Sequence, residues 1–111
     1  MLTEIKQQFY KETLQELKNI SSDLSAQVIE SDKKSLLVDR IFSVSHQLSG
    51  TGPMLGFDMS SKISRKLEKT FYEIRSGEKE VSLQLLWQTK RTIDSIIDCI
   101  TEENQTQVPQ Q

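Results

Sequence analysis

Apolar residues recur every three to four positions along most of this 111-residue chain, a spacing that gathers them on one face of a helix. Four such stretches follow one another. The first runs from about 2 to 29, with Leu2, Ile5, Phe9, Leu14, Leu17, Ile20, Leu24 and Val28 on its stripe. The irregular step after Phe9 lets the first turns project beyond the other helices, Tyr10 lies off the stripe, and Ser21-Ser22-Asp23 offers an alternative break and re-cap. Glu30 to Lys34 is a polar turn in which Ser31 or Asp32 caps the second helix, predicted over 33–56. Pro53 falls inside that helix. It lacks the N–H that would bond the Ser49 carbonyl, so a kink or short break is expected beside Gly50 and Gly52. The third helix begins near Asp58 or Ser60, both capping residues, and ends at Ser76-Gly77. Met59, Ile63, Leu67, Thr70, Phe71 and Ile74 form its apolar face, and Lys62, Arg65, Lys66 and Lys69 make the rest basic. The fourth covers about 81–100, with Leu83, Leu86, Ile93, Ile97 and Ile100 on its face and Leu85, Trp87 and Ile96 flanking.

Four amphipathic helices on short connections predict an all-α domain, an antiparallel up-and-down four-helix bundle over residues 1–100. Residues 101–111 are polar and glutamine-rich with no apolar period, the pattern of a disordered tail or linker. Only two prolines and four glycines agree with long helices. The net charge of −2 gives no case for nucleic acid, whose binders carry a basic stripe of larger excess. No apolar run has the length of a membrane span, and no apolar segment near Met1 has the form of a signal peptide, so the expected location is cytoplasmic. The single cysteine, Cys99, lies among Ile96, Ile97 and Ile100 as a core or flanking thiol. One histidine and one cysteine make no metal set, and no glycine-rich phosphate loop follows a strand.

The candidate chemistry lies in the second helix. On a wheel advancing about 100° per residue, Leu37, Ile41, Val44, Leu48 and Leu55 share a stripe roughly 60° wide. His46, the only histidine, falls roughly 180° from its middle and therefore faces water. Gly50 stands one turn further on and removes a side chain from beside the imidazole, although glycine costs a helix about 1 kcal/mol relative to alanine. The result is an exposed nitrogen nucleophile with a cleared approach. Phe42 lies one turn before His46, about 40° away around the helix. It serves either as a docking surface or as packing under the long first helix. Asp39, Ser43 and Gln47 share or border the same face, as part of a docking surface or as solvated residues.

The run His46, Leu48, Gly50, Thr51, Gly56 resembles the signature of histidine-containing phosphotransfer (HPt) domains: a helical histidine, a hydrophobe two on, glycine four on, a hydroxylic residue five on and glycine ten on. The resemblance extends to about residue 100, since the flanking helices have the number and length of that family. It implies a phosphocarrier in a multistep two-component phosphorelay. His46 takes a phosphoryl group from a receiver-domain aspartate and passes it on, without forming a self-contained enzyme. Partners are then receiver domains of response regulators or hybrid kinases, with neither nucleic acid nor membrane, and the expected state is a monomer. No cofactor is expected in this chain; Mg²⁺ would belong to the partner receiver. Many members carry a lysine three after the histidine, whereas Ser49 stands here, as small residues do in one branch of the family. Serine donates a hydrogen bond but no charge, so Lys62 or Lys66 on the third helix is the expected phosphoryl-neutralising substitute. Thr51 is expected to bond back to a helix carbonyl. Three other readings remain open: an HPt-like docking module that carries no phosphate, a chemotaxis-kinase-like phosphoacceptor served by a kinase domain, and a structural bundle with an incidental histidine.

Overall fold

The structure, a computed structural model, describes residues 2–25 and 31–106. Four α-helices account for most of them: α1 (Leu2–Leu24), α2 (Ser31–Thr51), α3 (Asp58–Arg75) and α4 (Leu83–Thr106). A single 3₁₀ turn, Gly52–Leu55, joins α2 to α3, and no strand occurs among the described residues. The helices form a bundle in which α2 packs most extensively on α3 and α1 on α4, with smaller α3–α4 and α1–α2 contacts. The predicted Val28 position lies outside the described residues, as do the side chains of Ser31 and Asp32.

The core takes one stripe from each helix. Leu17, Ile20 and Leu24 of α1 meet Leu37, Val38, Ile41, Val44 and Leu48 of α2, Leu67 and Phe71 of α3, and Leu86, Ile93, Ile96 and Ile100 of α4. Burying each such side chain contributes about 1.5–3 kcal/mol. On α4 the buried positions 86, 89, 93, 96 and 100 alternate steps of three and four, so Ile96 replaces the predicted Ile97 at the centre of the face. Thr89 completes that stripe because its hydroxyl is satisfied within the helix, donating to the Leu85 carbonyl at 2.7 Å. On α3 and α4 two predicted face positions are exposed instead, Met59 and Leu83. Both stand in the first turn of their helices, outside the packed stripes.

α1 runs without a break through Ser21-Ser22-Asp23, because these residues find partners that do not disturb the helix. Ser21 donates its hydroxyl to Asp94 of α4. Asp23 and Glu16 both bind Arg40 of α2, Asp23 at 2.7 Å and Glu16 at 3.3 Å. Ile5 is exposed, in keeping with first turns that reach past the core.

The join between α2 and α3 is where proline acts. α2 ends at Thr51 rather than near residue 56, and Pro53 enters the first positions of the 3₁₀ turn, where its missing N–H costs least. Gly56 closes the turn at φ 88°, a conformation that favours glycine. The Phe57 N–H then donates to the Gly52 carbonyl at 2.9 Å. This geometry drives the Phe57 ring into the core, fully buried, with Phe9 and Tyr10 of α1 stacked on it at centroid distances of 6.1 and 6.3 Å.

α4 continues to Thr106 where the sequence predicted a tail from Thr101; residues 107–111 lie outside the described set. The apolar period stops at Ile100, yet polar tethers carry the helix on. Asn104 accepts from Gln7 of α1 at 3.1 Å. Glu103 accepts the backbone N–H of Met59 at 2.8 Å and of Ser60 at 3.1 Å, and also the Ser60 hydroxyl. The α3 N-terminus is thus capped from α4. Phe57 occupies the position before the helix and offers no side-chain cap, and the expected cap residues Asp58 and Ser60 lie inside α3. A carboxylate on free helix N–H groups also meets the positive end of the helix dipole. Glu103→Ala is expected to lower the unfolding free energy by about 1–2 kcal/mol in urea denaturation, while Glu102→Ala, at an exposed neighbour, changes it by less than about 0.5 kcal/mol.

Candidate functional site

α2 and α3 approach closely because small side chains line their seam. Ser45 of α2 and Ser61 and Ser64 of α3 are all buried. Ser45 donates to its own helix at the Ile41 carbonyl, 2.7 Å away. Ser61 reaches across, donating to the Leu48 carbonyl at 2.8 Å and lying 3.3 Å from the Ser49 carbonyl. That second carbonyl is the one Pro53 leaves without a helical donor. Gly52 sits against the same serine: a Cβ there would meet the Ser61 hydroxyl at 3.3 Å. The site-bearing turn of α2 is therefore pinned to α3 at 48–49.

From that pin, matching rows of side chains run up the two helices. Asp39, Phe42 and His46 of α2 meet Arg75, Tyr72 and Glu68 of α3 in that order. His46 Nδ1 lies 2.6 Å from Glu68 Oε2. A carboxylate only accepts, so this contact calls for the proton on Nδ1, and in the neutral imidazole that tautomer leaves the lone pair on Nε2. The His46 side chain is 66% exposed while that of Glu68 is 24% exposed, so the carboxylate forms a half-buried base and the far edge of the imidazole meets solvent. Phe42 stacks on the imidazole, with centroids 5.7 Å apart and planes 10° from parallel. The ring is held on its other neighbours by Tyr72, at 6.4 Å, and by the Arg75 guanidinium, 4.5 Å from its centroid. Arg75 in turn pairs with Asp39 at 3.2 Å. Phe42 is thus half-buried under α3 side chains, where the sequence offered either open docking or cover by α1.

Gly50 is exposed, and a Cβ built on it meets nothing within 4 Å. The space beside the histidine turn is open, and no packing demands glycine there. Ser49 is half-buried, while Ser43 and Gln47 are exposed on the face around His46. Thr51 is exposed and makes no side-chain hydrogen bond with any described residue, in place of the expected bond to a helix carbonyl. Lys62 and Lys66 line the groove between α3 and α4 together with Met59 and Leu85. They lie about 120° and 160° around α3 from Glu68, away from the α2 seam that holds His46. The structure therefore brings Asp39 and Phe42 to the histidine's row, leaves Ser43 and Gln47 in solvent beside it, and sets both lysines on another flank.

Glu68, Tyr72, Arg75 and Ser61 were absent from the sequence-level site. Their signal was present: 61, 64, 68, 72 and 75 recur at three- and four-residue steps beside the apolar stripe, the track that faces α2. Cys99 offers no competing nucleophile. It is half-buried, and burial, aided by the nearby carboxylates Glu103 and Glu102, pushes its thiol above the ordinary range. Among the described residues no group of three His, Cys, Asp or Glu side chains is placed to hold a metal ion, and no helix is long and apolar enough to cross a membrane.

A family model, the Hpt domain, matches residues 4–99. The chain belongs to the Hpt domain family. The match reaches from α1 into α4 and includes His46. Hpt domains are phosphotransfer modules of phosphorelays that interact with receiver domains of two-component systems, and they carry phosphoryl groups rather than act as enzymes. Neither the curated proteins nor the solved structures yield a significant match.

Because nothing packs where a Gly50 side chain would go, Gly50→Ala is expected to raise the unfolding free energy by about 0.5–1 kcal/mol. Thermal or urea denaturation of the two proteins checks this, and a loss of stability would show that the open space is needed by the fold.

Proposed function

We propose that this Hpt domain is a histidine phosphocarrier in which His46 Nε2 accepts a phosphoryl group from a receiver aspartate and returns it to another receiver. The observation that carries the reading is the 2.6 Å contact between His46 Nδ1 and Glu68, on an imidazole otherwise open to solvent. The Nε2 lone pair attacks phosphorus in line, the P–O bond to the receiver carboxylate breaks, and that carboxylate leaves with the electron pair. The imidazole becomes positive as the N–P bond forms. Its Nδ1 proton already faces the Glu68 carboxylate, which stabilises the developing charge and accepts part of it. The return transfer reverses these steps. Phe42, braced by Tyr72 and Arg75, fixes the plane of the ring, which limits the loss of side-chain freedom in the transfer complex.

In this reading the four helices form an antiparallel up-and-down bundle. The order of the pairs 39–75, 42–72 and 46–68 supports it between α2 and α3, and the pairs 7–104 and 21–94 support it between α1 and α4. The chain acts as a monomer in the cytoplasm, with Ser43, Gln47 and the open space at Gly50 forming the surface a receiver covers. The chain holds no cofactor, and Mg²⁺ belongs to the receiver's acidic pocket.

Incubation with a panel of acetyl-phosphate-charged receiver domains tests the reading. The expected outcome is acid-labile, base-stable label on the wild type and none on His46→Gln. Glu68→Gln, which keeps a hydrogen-bond acceptor but removes the charge, is expected to slow labelling about tenfold or more. Binding to receivers without label would point to a docking module, and neither binding nor label to a structural bundle.

A further inference from the structure

We infer that Arg65 is the cation that neutralises the phosphoryl group on His46, a role for which Ser49 brings no charge and from which Lys62 and Lys66 lie further around α3. The inference rests on the phosphocarrier reading above. A phosphoryl group on Nε2 brings nearly two negative charges to a turn that already holds the Glu68 carboxylate against Nδ1. Like charges this close oppose each other, so accepting the group requires an opposing cation nearby.

Among the cations of α3, with Arg40 of α2 beside them, position favours one. Arg40 is engaged by Glu16 and Asp23 of α1. Arg75 is engaged by Asp39 and the Phe42 ring, seven residues and so about 10 Å along α3 from Glu68. Lys62, Lys66 and Lys69 lie about 120°, 160° and 100° around α3 from Glu68. Arg65 lies only about 60° away and one turn nearer the α3 N-terminus. It stands between Ser61, pinned to Leu48 and Ser49, and Glu68, pinned to His46. It is therefore level with the turn from His46 to Ser49, next to Gly50, where a Cβ would meet nothing within 4 Å. Arg65 is exposed and has no hydrogen bond or ion pair with any described residue. Without phosphate its side chain contributes to the rim of the α3–α4 groove. A change of rotamer brings its forked guanidinium over the open turn, where it binds phosphoryl oxygens through two N–H donors.

A donor with no protein surface separates this local charge from receiver docking. Phosphoramidate is such a donor: Nε2 forms the N–P bond, the donor's P–N bond breaks, and ammonia leaves with the electron pair. With this donor, Arg65→Gln is expected to lower the initial rate of His46 labelling about tenfold, the loss of one charge-assisted contact. Arg65→Lys should recover the rate to within about threefold, and Lys66→Gln and Lys69→Gln should leave it unchanged. Added salt should slow the wild type more than Arg65→Gln. Equal melting temperatures of wild type and Arg65→Gln show that the loss is not unfolding. Labelling of Arg65→Gln at the wild-type rate, or loss with Lys69→Gln instead, overturns the assignment while leaving the phosphocarrier reading in place. A wild type that takes no label from phosphoramidate or from any charged receiver overturns both.

Discussion

The Ser61 hydroxyl, donating 2.8 Å to the Leu48 carbonyl, is the contact on which the rest of the site depends. A side chain larger than serine at this point would separate α2 from α3. The same atom stands 3.3 Å from the Ser49 carbonyl, which lacks its helical donor because Pro53 has none to give. The hydroxyl has a single proton, directed at the nearer Leu48 carbonyl, so its part is to set the distance between the helices rather than to replace the proline's missing donor. With that distance set, Glu68 falls beside His46, Tyr72 beside Phe42 and Arg75 beside Asp39. Misplacing the pin by one turn would break all three.

The bundle places its most polar chemistry where packing is least demanding. The apolar stripes hold α2 by Leu37, Ile41, Val44 and Leu48, on the opposite side from the imidazole. His46 is thus free of core constraints, and its orientation comes from a carboxylate below and an aromatic ring alongside. Such an arrangement suits a group that must be presented to another protein's pocket. It is rigid at Nδ1, open at Nε2, and lacks walls that would enclose a substrate. The same logic explains the two ends of the domain. Polar tethers, Glu103 on the α3 N-terminus and Asn104 with Gln7, extend α4 beyond its last core residue, Ile100.

Much of this was legible in the sequence because helix periodicity is a strong signal. The four helices, the break at Pro53, the core stripe of α2 and the outward position of His46 all follow from spacing. What was not legible depends on contacts between helices. Glu103 caps α3 across 43 to 44 residues, so the local residues Asp58 and Ser60 drew the cap prediction wrongly, and α4 looked finished at Ile100. Ile96 rather than Ile97 faces the core because the rotation of α4 is set by its neighbours. Lys62 and Lys66 were natural candidates from composition alone. Which flank of α3 faces α2 is decided by Ser61 and Ser64, small polar residues that carry no hydrophobic signal although both are buried.

The central claim is that Glu68 holds the Nδ1 proton, leaving Nε2 as the phosphoryl acceptor. Because His46 is the only histidine, ¹⁵N-histidine labelling yields a single imidazole spectrum. Two-bond ¹H–¹⁵N correlation spectra of the phosphorylated chain, with ³¹P coupling, identify which nitrogen bears phosphorus. The account predicts phosphorus on Nε2 with the proton retained on Nδ1 in contact with Glu68. Phosphorus on Nδ1 would contradict it, since that nitrogen could not then remain bonded through its proton to the carboxylate.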